Sequence, residues 1–283
     1  RHDETRALKS TALFSRMRRA PTSAKELFGD VYADGPSRVR PSSSLSSSTV
    51  RSFGPFTAWD ADELGKTLDI RVIDNVLLED VNAALVALAL DERATTRGMC
   101  VSNLGGGFHS TPDVFERRKC AATEALREAI EAALREATAT TDVKKCFVKN
   151  IMGQGDGNVV STSWVNVCDV SSSQGHGLHN HTNAVWSGVY YASTSDERAD
   201  DEDDEFDKPG DLLIRVTAGG VNPLVKKSGY CKYYRIVPKA SRLVIFPSWV
   251  LHGVLANDVG DVGEASPRVS FAFNSGETNV SFD

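Results

Sequence analysis

The sequence has few of the residues that build disulfide frameworks or membrane spans. Only five of its 283 residues are cysteine, and they are scattered, odd in number and without a CxxC pair. We interpret them as reduced thiols of an intracellular protein, which excludes a disulfide scaffold and a thiolate metal site. No apolar run approaches the roughly 20 residues of a membrane helix, so no membrane partner is expected.

Positive charge and histidine are also scarce. The net charge is −6 at pH 7, and there is no basic patch, so nucleic acid is an unlikely partner. Of only six histidines, three fall together at His176, His179 and His181. Such a cluster in a histidine-poor chain requires a chemical explanation.

The chain is predicted to hold a tail and one folded domain. Residues 1–51 are rich in arginine and serine, which predicts a disordered tail or the remnant of an organelle transit peptide. The latter would make the protein organellar. Residues 52–283 form the predicted domain, interrupted at 196–207 by an acidic run that is typical of a solvated loop insertion.

Helical patterns precede strand patterns within this domain. Residues 78–92 and 111–139 have helical spacing, and Thr111-Pro112 suits the start of the second helix. These helices belong to a supporting segment, 75–140. The β core, 145–276, contains short runs separated by turn residues: KKCFVKN, STSWVNVCDV, WSGVYYAS, DLLIRVTA, KYYRIVP, SRLVIFPSW and RVSFAFN. This order predicts an α+β domain with helices packed on a sandwich or barrel.

The histidine cluster suits a metal site. If residues 178–182 are extended, His179 and His181 project to the same side, because side chains alternate along a strand. Neutral imidazole is a common ligand of iron, zinc, copper and nickel. A further histidine, His252, follows an apolar run and a turn downstream.

A polar stripe on the last strand suggests an anion site. In RVSFAFN, Val269, Phe271 and Phe273 share one face, and Arg268 and Ser270 share the other. An inward arginine must be paired, because an unpaired buried charge is costly. Its planar fork suits a carboxylate, and a serine hydroxyl adds one hydrogen bond.

The order of these parts resembles the Fe(II)/2-oxoglutarate-dependent oxygenases. The resemblance is closest to the branch with HxH…H…RxS found in phage, marine bacteria and algae. It is carried, in order, by SNLGGGFHS, SWVN, HNHTNAVWSGVYY, GDLLI, FPSWVLHGV and RVSFAFN, which span about residues 100 to 276. It implies a double-stranded β-helix (jelly-roll) core, Fe(II), 2-oxoglutarate and O2, and hydroxylation of a substrate with release of succinate and CO2.

The resemblance also implies roles for individual residues. His179, His181 and His252 would bind iron, and Arg268 with Ser270 would bind the far carboxylate of 2-oxoglutarate. The usual carboxylate ligand of the superfamily is here His181. Three interpretations follow: a three-histidine iron site whose charge is raised by one, a two-histidine site with His181 outside the coordination sphere, or a site without catalysis.

Other polar residues complete the predicted site. Asn166 is expected to bond the carboxylate of 2-oxoglutarate next to its oxo group, and Tyr190 to line the co-substrate pocket. His109 and Asn183 are candidate substrate contacts, and His176 is expected in a mobile loop. No catalytic side chain beyond the metal centre is predicted.

Two other functions fit parts of the pattern. A three-histidine cupin-type thiol dioxygenase explains HxH…H but leaves Arg268 and Ser270 without a role. A non-catalytic binding protein on the same fold would bind no iron. The substrate, a small molecule or a peptide side chain, does not follow from the sequence, and neither does the oligomeric state.

Overall fold

The computed structural model describes most of the domain and a few segments before it. The described residues are 21–28, 36–38, 50–57, 67–99, 107–140, 157–169, 175–181, 183–194, 207–215, 231–256 and 266–276. Their helices are α1 Ala24–Phe28, α2 Glu79–Thr95, α3 Val114–Arg117 and α4 Ala121–Thr140. Their strands are β1 Pro36–Arg38, β2 Val50–Thr57, β3 Thr67–Ile73, β4 Phe108–His109, β5 Val160–Cys168, β6 His176–His179, β7 Trp186–Ser193, β8 Leu212–Arg215, β9 Cys231–Ile236, β10 Arg242–Pro247, β11 His252–Val254 and β12 Arg268–Ser275.

The strands form two facing sheets with jelly-roll order. The large sheet runs β2-β3-β10-β7-β12-β5-β4, and the small sheet runs β1-β9-β8-β11-β6. From β5 onward the chain passes between the sheets repeatedly, with β8 and β9 as neighbours in the small sheet. The pairings are antiparallel except that of β1 with β9. The predicted α+β double-stranded β-helix with supporting helices is confirmed.

The outer face of the large sheet is covered by α2 and α4. Leu126, Ile130 and Leu134 of α4 recur every four residues and are fully buried, because this spacing makes one apolar stripe. They join one core cluster with Phe271 and Phe273 of β12. The apolar face predicted for β12 is therefore the face that the helices cover. Arg268 and Ser270, on the other face, point into the space between the sheets.

A second apolar cluster fills part of that inner space. It joins Ile70 and Val72 of β3 to Ile214 of β8, Tyr234 of β9 and Phe246 of β10. This cluster holds the two sheets together beside the cleft that contains the predicted site residues.

Residues 21–28 correct the predicted tail boundary. Within the segment expected to be disordered, α1 buries Ala24, Leu27 and Phe28 in a cluster on the small sheet. The Ser23 hydroxyl accepts a hydrogen bond from the Glu26 amide at 3.2 Å. This is half of a Ser-x-x-Glu capping box, a start signal that the composition-based prediction overlooked.

Two strands begin within the predicted tail. Pro36–Arg38 pairs with β9, and Val50–Thr57 pairs with β3. The other residues of the predicted 1–51 tail lie outside the described residues. So do the predicted KKCFVKN strand and the acidic run up to residue 206.

The predicted helix 111–139 is divided in two. The helix α3 ends at Arg117, and α4 starts at Ala121. Thr123 stabilises the restart: its hydroxyl donates to the Arg118 carbonyl at 2.8 Å and accepts from the Cys120 amide at 3.0 Å. The predicted helix 78–92 matches α2. Among the described residues, no helix is both long and apolar enough to cross a membrane.

Candidate active site

A cleft that is partly open to solvent lies between the two sheets. Histidines from the small sheet and the chain that follows β6 line one side, and polar residues of the large sheet line the other. The site residues that line it are Trp164, Asn166, Cys168, His176, His179, His181, Tyr191, His252, Arg268 and Ser270.

Three imidazoles meet on one side of this cleft. His179 at the end of β6 lies opposite His252 at the start of β11, and their ring centroids are 4.3 Å apart. The ring of His181 lies 5.2 Å from that of His179 and 5.4 Å from that of His252. One ligand nitrogen from each ring lies within 4.8 Å of the others, which fits a single metal ion.

His181 reaches this cluster by a route that differs from the prediction. The strand β6 ends at His179, so the alternation of an extended strand does not position His181. Instead, its backbone amide donates to the Ser248 carbonyl at 2.8 Å, in the turn between β10 and β11. A contact between distant segments therefore places the third ring.

Backbone hydrogen bonds orient two of the rings. His179 Nδ1 lies 2.7 Å from the Gly177 carbonyl, and His252 Nδ1 lies 2.9 Å from the Val250 carbonyl. Because a carbonyl only accepts, each Nδ1 carries the proton, and each Nε2 keeps its lone pair free. This is the usual arrangement behind a metal-binding histidine.

Burial keeps these imidazoles neutral at neutral pH. Desolvation lowers the pKa of His179, and desolvation followed by the neighbouring His179 lowers the pKa of His181 to about 4. The pKa of His252 is lowered further by burial and by His179 and His181. Neutral rings can bind a cation without first losing a proton.

The opposite wall presents a buried cation. Arg268 is only 7% exposed, and no carboxylate in the described ranges lies within ion-pair distance of it. Burial opposes its charge, but Cys168 and Tyr191 beside it leave its pKa above the ordinary value. A buried guanidinium without a counter-ion is costly, so this wall suits an anionic ligand.

Ser270 and Asn166 continue this polar wall. They are opposite each other on β12 and β5, next to the Arg268–Cys168 pair. The Asn166 Oδ1 atom is buried, and no hydrogen-bond partner for it is found in the part of the chain that the structure describes. An amide left unsatisfied at a cleft fits a polar ligand.

Tyr190 is not a pocket residue, which corrects the prediction. It lies on the helix-covered face, where its hydroxyl donates to Asn82 of α2 and contacts Ser241 Oγ at 3.3 Å. Its neighbour Tyr191 lines the cleft instead and pairs with Ser270. Successive strand residues point to opposite faces, so the prediction chose the wrong one of two adjacent tyrosines.

The two candidate substrate residues lie away from the cleft surface. His109 is buried and stacks on Trp164 with ring centroids 5.6 Å apart, so it supports a residue of the cleft wall. Asn183 is exposed and does not line the cleft. The structure therefore gives neither residue a direct place in the cleft.

His176 does line the cleft, although the sequence predicted a mobile loop. It is the first residue of β6 and pairs with Val254 of β11. Burial and then His179 lower its pKa to about 3, with smaller contributions from His109 and Arg268. The sequence Gly-His-Gly-Leu-His gave no sign of a strand at His176, because glycines flank it and glycine is uncommon in strands.

The fold and the site suit one class of protein, the jelly-roll oxygenases, because three histidines that could hold a metal lie in one cleft with a buried arginine. Residues 162–274 match a family model described as "Putative 2OG-Fe(II) oxygenase". This segment carries the three clustered histidines, Arg268 and Ser270. Residues 162–274 therefore resemble the 2OG-Fe(II) oxygenases, whose name gives iron and 2-oxoglutarate as the groups they use.

Solved structures of related enzymes resemble the chain weakly. A Pseudomonas putida prolyl-4-hydroxylase is 16% identical, with a TM-score of 0.44 over 73% of this chain and 92% of that one. The carbocyclase SnoK of nogalamycin biosynthesis is 11% identical, with a TM-score of 0.47 over 78% and 87%. The epimerase SnoN, solved with Fe3+, alpha ketoglutarate and nogalamycin RO, is 9% identical, with a TM-score of 0.45 over 73% and 78%. No curated protein matches the sequence.

Proposed function

We propose that the protein is an Fe(II)- and 2-oxoglutarate-dependent dioxygenase that hydroxylates its substrate and releases succinate and CO2. One observation carries the proposal. Three neutral imidazoles converge within 4.8 Å, and a buried arginine without a carboxylate partner among the described residues lines the same cleft. A cation site and an anion site in one cleft suit a metal and a dicarboxylate together.

The proposed iron ligands are the Nε2 atoms of His179 and His252, together with one ring nitrogen of His181. The fit rests on the donor set, since imidazole suits Fe(II), and on the Nδ1 bonds that hold two of the rings. Three protein ligands leave coordination positions for a co-substrate and for O2. With no carboxylate in the set, the protein ligands leave the charge of the metal uncompensated.

The proposed 2-oxoglutarate contacts are on the large sheet. Arg268 would form a bidentate pair with the distal carboxylate, and the Ser270 hydroxyl would donate to it. Asn166, next to Ser270, would bond the carboxylate near the oxo group. Tyr191 replaces Tyr190 as the tyrosine of this pocket.

The chain's residues bind, orient and shield the reactants. Bound iron, 2-oxoglutarate and O2 supply the oxidising chemistry, in which decarboxylation accompanies hydroxylation. Apolar side chains beside the cleft, such as Phe246 and Leu212, limit water near the metal site. Trp164, on which His109 stacks, lies 5.8 Å from the His181 ring and would form the wall nearest the substrate.

The proposed substrate is a small molecule or a peptide side chain. A net charge of −6 does not favour a nucleic acid. Scattered free thiols, including Cys120 and Cys168, suit a reducing intracellular compartment, and an organellar location stays a prediction. A three-histidine thiol dioxygenase would share the metal ligands but would give Arg268 and Ser270 no ligand.

The deciding experiment is an anaerobic titration of the Fe(II)-loaded protein with 2-oxoglutarate, following the visible metal-to-ligand charge-transfer band. The wild type should develop the band, and Arg268→Ala should need far more 2-oxoglutarate. Arg93→Ala is the matched control. Arg93 forms an ion pair with Asp169, the residue after β5, and neither residue lines the cleft. Iron binding without a band would favour the thiol dioxygenase, and no iron binding would favour a binding protein.

A further inference from the structure

His176 lies in the cleft but outside the metal cluster. Its ring centroid is 6.0 Å from that of His179, and it is not among the three histidines whose ligand atoms lie within 4.8 Å of one another. It is the first residue of β6, whereas His179 is the last. The strand thus places two histidines in one cleft, only one of which belongs to the metal cluster.

The imidazole of His176 has no hydrogen-bond partner within the described ranges. The other cleft histidines of β6 and β11 each bond a backbone carbonyl through Nδ1, but neither ring nitrogen of His176 does. An imidazole carries at least one N–H in either charge state, so a donor is left unused. His176 is half-buried and lines the cleft, so a ligand bound there can supply the acceptor.

A buried charge without a carboxylate partner among the described residues lines the same cleft as His176. It is Arg268, which lies on the opposite sheet. A carboxylate offers about four lone-pair positions. A bidentate arginine and one serine hydroxyl occupy three of them, which leaves one for a donor from the small sheet.

We propose that His176 is a further co-substrate-binding residue, donating an N–H to the distal carboxylate of 2-oxoglutarate from the side opposite Arg268 and Ser270. This inference rests on the proposed function. It gives the carboxylate contacts from both sheets of the jelly roll. It also separates the roles of the two β6 histidines: His179 binds the metal, and His176 binds the co-substrate.

The test compares two ligands on three proteins: wild type, His176→Phe and His176→Gln. Each is loaded anaerobically with Fe(II) and titrated with 2-oxoglutarate and with 2-oxobutyrate, which lacks the distal carboxylate. Iron affinity is measured separately. We expect His176→Phe to raise the 2-oxoglutarate Kd about 10- to 30-fold, as for loss of one hydrogen bond to a charged group. His176→Gln, which keeps an N–H donor, should recover part of that loss.

The 2-oxobutyrate titration makes the result specific. The affinity for 2-oxobutyrate should be the same in wild type and His176→Phe, because 2-oxobutyrate has no distal carboxylate for His176 to contact. Equal loss with both ligands, unchanged 2-oxoglutarate binding, or loss of iron in His176→Phe would each overturn the proposal. If the wild type binds iron but neither oxoacid, the proposed function itself fails, and that result is distinct from these three.

Discussion

His179 and His252 are cross-strand partners whose rings are held by the same local device. They lie opposite each other on β6 and β11, and each Nδ1 donates to the carbonyl of the residue two positions earlier. The two Nε2 lone pairs are therefore set in place by backbone rather than by other side chains. Such a site is organised before metal arrives, which favours tight binding.

Removing either of these rings should abolish stoichiometric iron binding. His179→Ala and His252→Ala each take away one oriented ligand, and we expect iron affinity to fall more than 100-fold, beyond the 10- to 100-fold typical of losing a supporting residue. Anaerobic Fe(II) titration followed by metal analysis measures this. His109→Phe is the control, because His109 also bonds a carbonyl through Nδ1 but lies outside the cluster. Equal iron affinity in the alanine variants would contradict the ligand assignment.

His181 decides between the three-histidine and two-histidine sites. Within the part of the chain that the structure describes, no backbone acceptor holds its ring, so its role is less fixed by the structure than those of His179 and His252. If it is a ligand, His181→Ala should weaken iron binding as strongly as His179→Ala does. His181→Asp should restore binding, because it recreates the usual carboxylate set. Wild-type iron affinity in His181→Ala would instead support the two-histidine site.

The tyrosine pair on β7 provides a test of which face meets the co-substrate. Tyr190→Phe should leave the 2-oxoglutarate Kd unchanged and lower the free energy of unfolding by about 1 kcal/mol, because it removes the hydrogen bond to Asn82. Tyr191→Phe should raise the Kd by about 5-fold, the size of one neutral hydrogen bond. Denaturant unfolding and ligand titration on the same two variants measure both effects. If Tyr190→Phe raises the 2-oxoglutarate Kd and Tyr191→Phe leaves it unchanged, Tyr190 is the pocket residue after all.

Helix α1 should contribute to the stability of the domain. Leu27 is 6% exposed and packs with Leu213 and Tyr233, so Leu27→Ala should cost about 2–4 kcal/mol. Lys25→Ala, on the exposed side of the same helix, should change stability by less than about 1 kcal/mol. Chemical denaturation of a chain that includes residues 21–28 measures both. If both substitutions change the free energy of unfolding equally little, this segment belongs to the predicted disordered tail.

Glu92 should make stability depend on acid pH. It is 1% exposed, and its pair with Arg117 at 2.6 Å lowers its pKa below the ordinary value. A lowered pKa means that the carboxylate stabilises the fold above its unfolded pKa, and the contribution is lost as pH falls through the folded pKa. Glu92→Gln should therefore lower the free energy of unfolding by about 2 kcal/mol at neutral pH. The difference between wild type and variant should become smaller toward pH 3. Glu124→Gln, on an exposed position of α4, should show no such difference.

Sequence periodicity predicted the features that depend on local order. The alternation in β12 correctly separated Arg268 and Ser270 from Phe271 and Phe273, because one face of a packed sheet must be apolar. The fold followed from the number and spacing of the strands and from the resemblance. The convergence of the histidines followed from their types and order, although only contacts between strands fix their distances.

Features that depend on distant contacts were not accessible in this way. Alternation shows that Tyr190 and Tyr191 face opposite sides, but only the packing of α2 on β7 shows which side is inner. The break before α4 lies where the Thr123 hydroxyl bonds the backbone of Arg118 and Cys120, in a run with helical spacing. His176 was missed because flanking glycines hide the strand that its pairing with Val254 creates.

The division of the cleft between two sheets has a consequence for the choice of co-substrate. The proposed iron ligands lie on or beside the small sheet, and Arg268 lies on the large one, with packed side chains such as Phe246 and Val250 between the sheets. The distance from the three histidines to Arg268 would thus limit the chain length of the oxoacid that can bind at both ends. A shorter or longer dicarboxylate would reach only one end, and discrimination by length would depend on the core that fixes this distance.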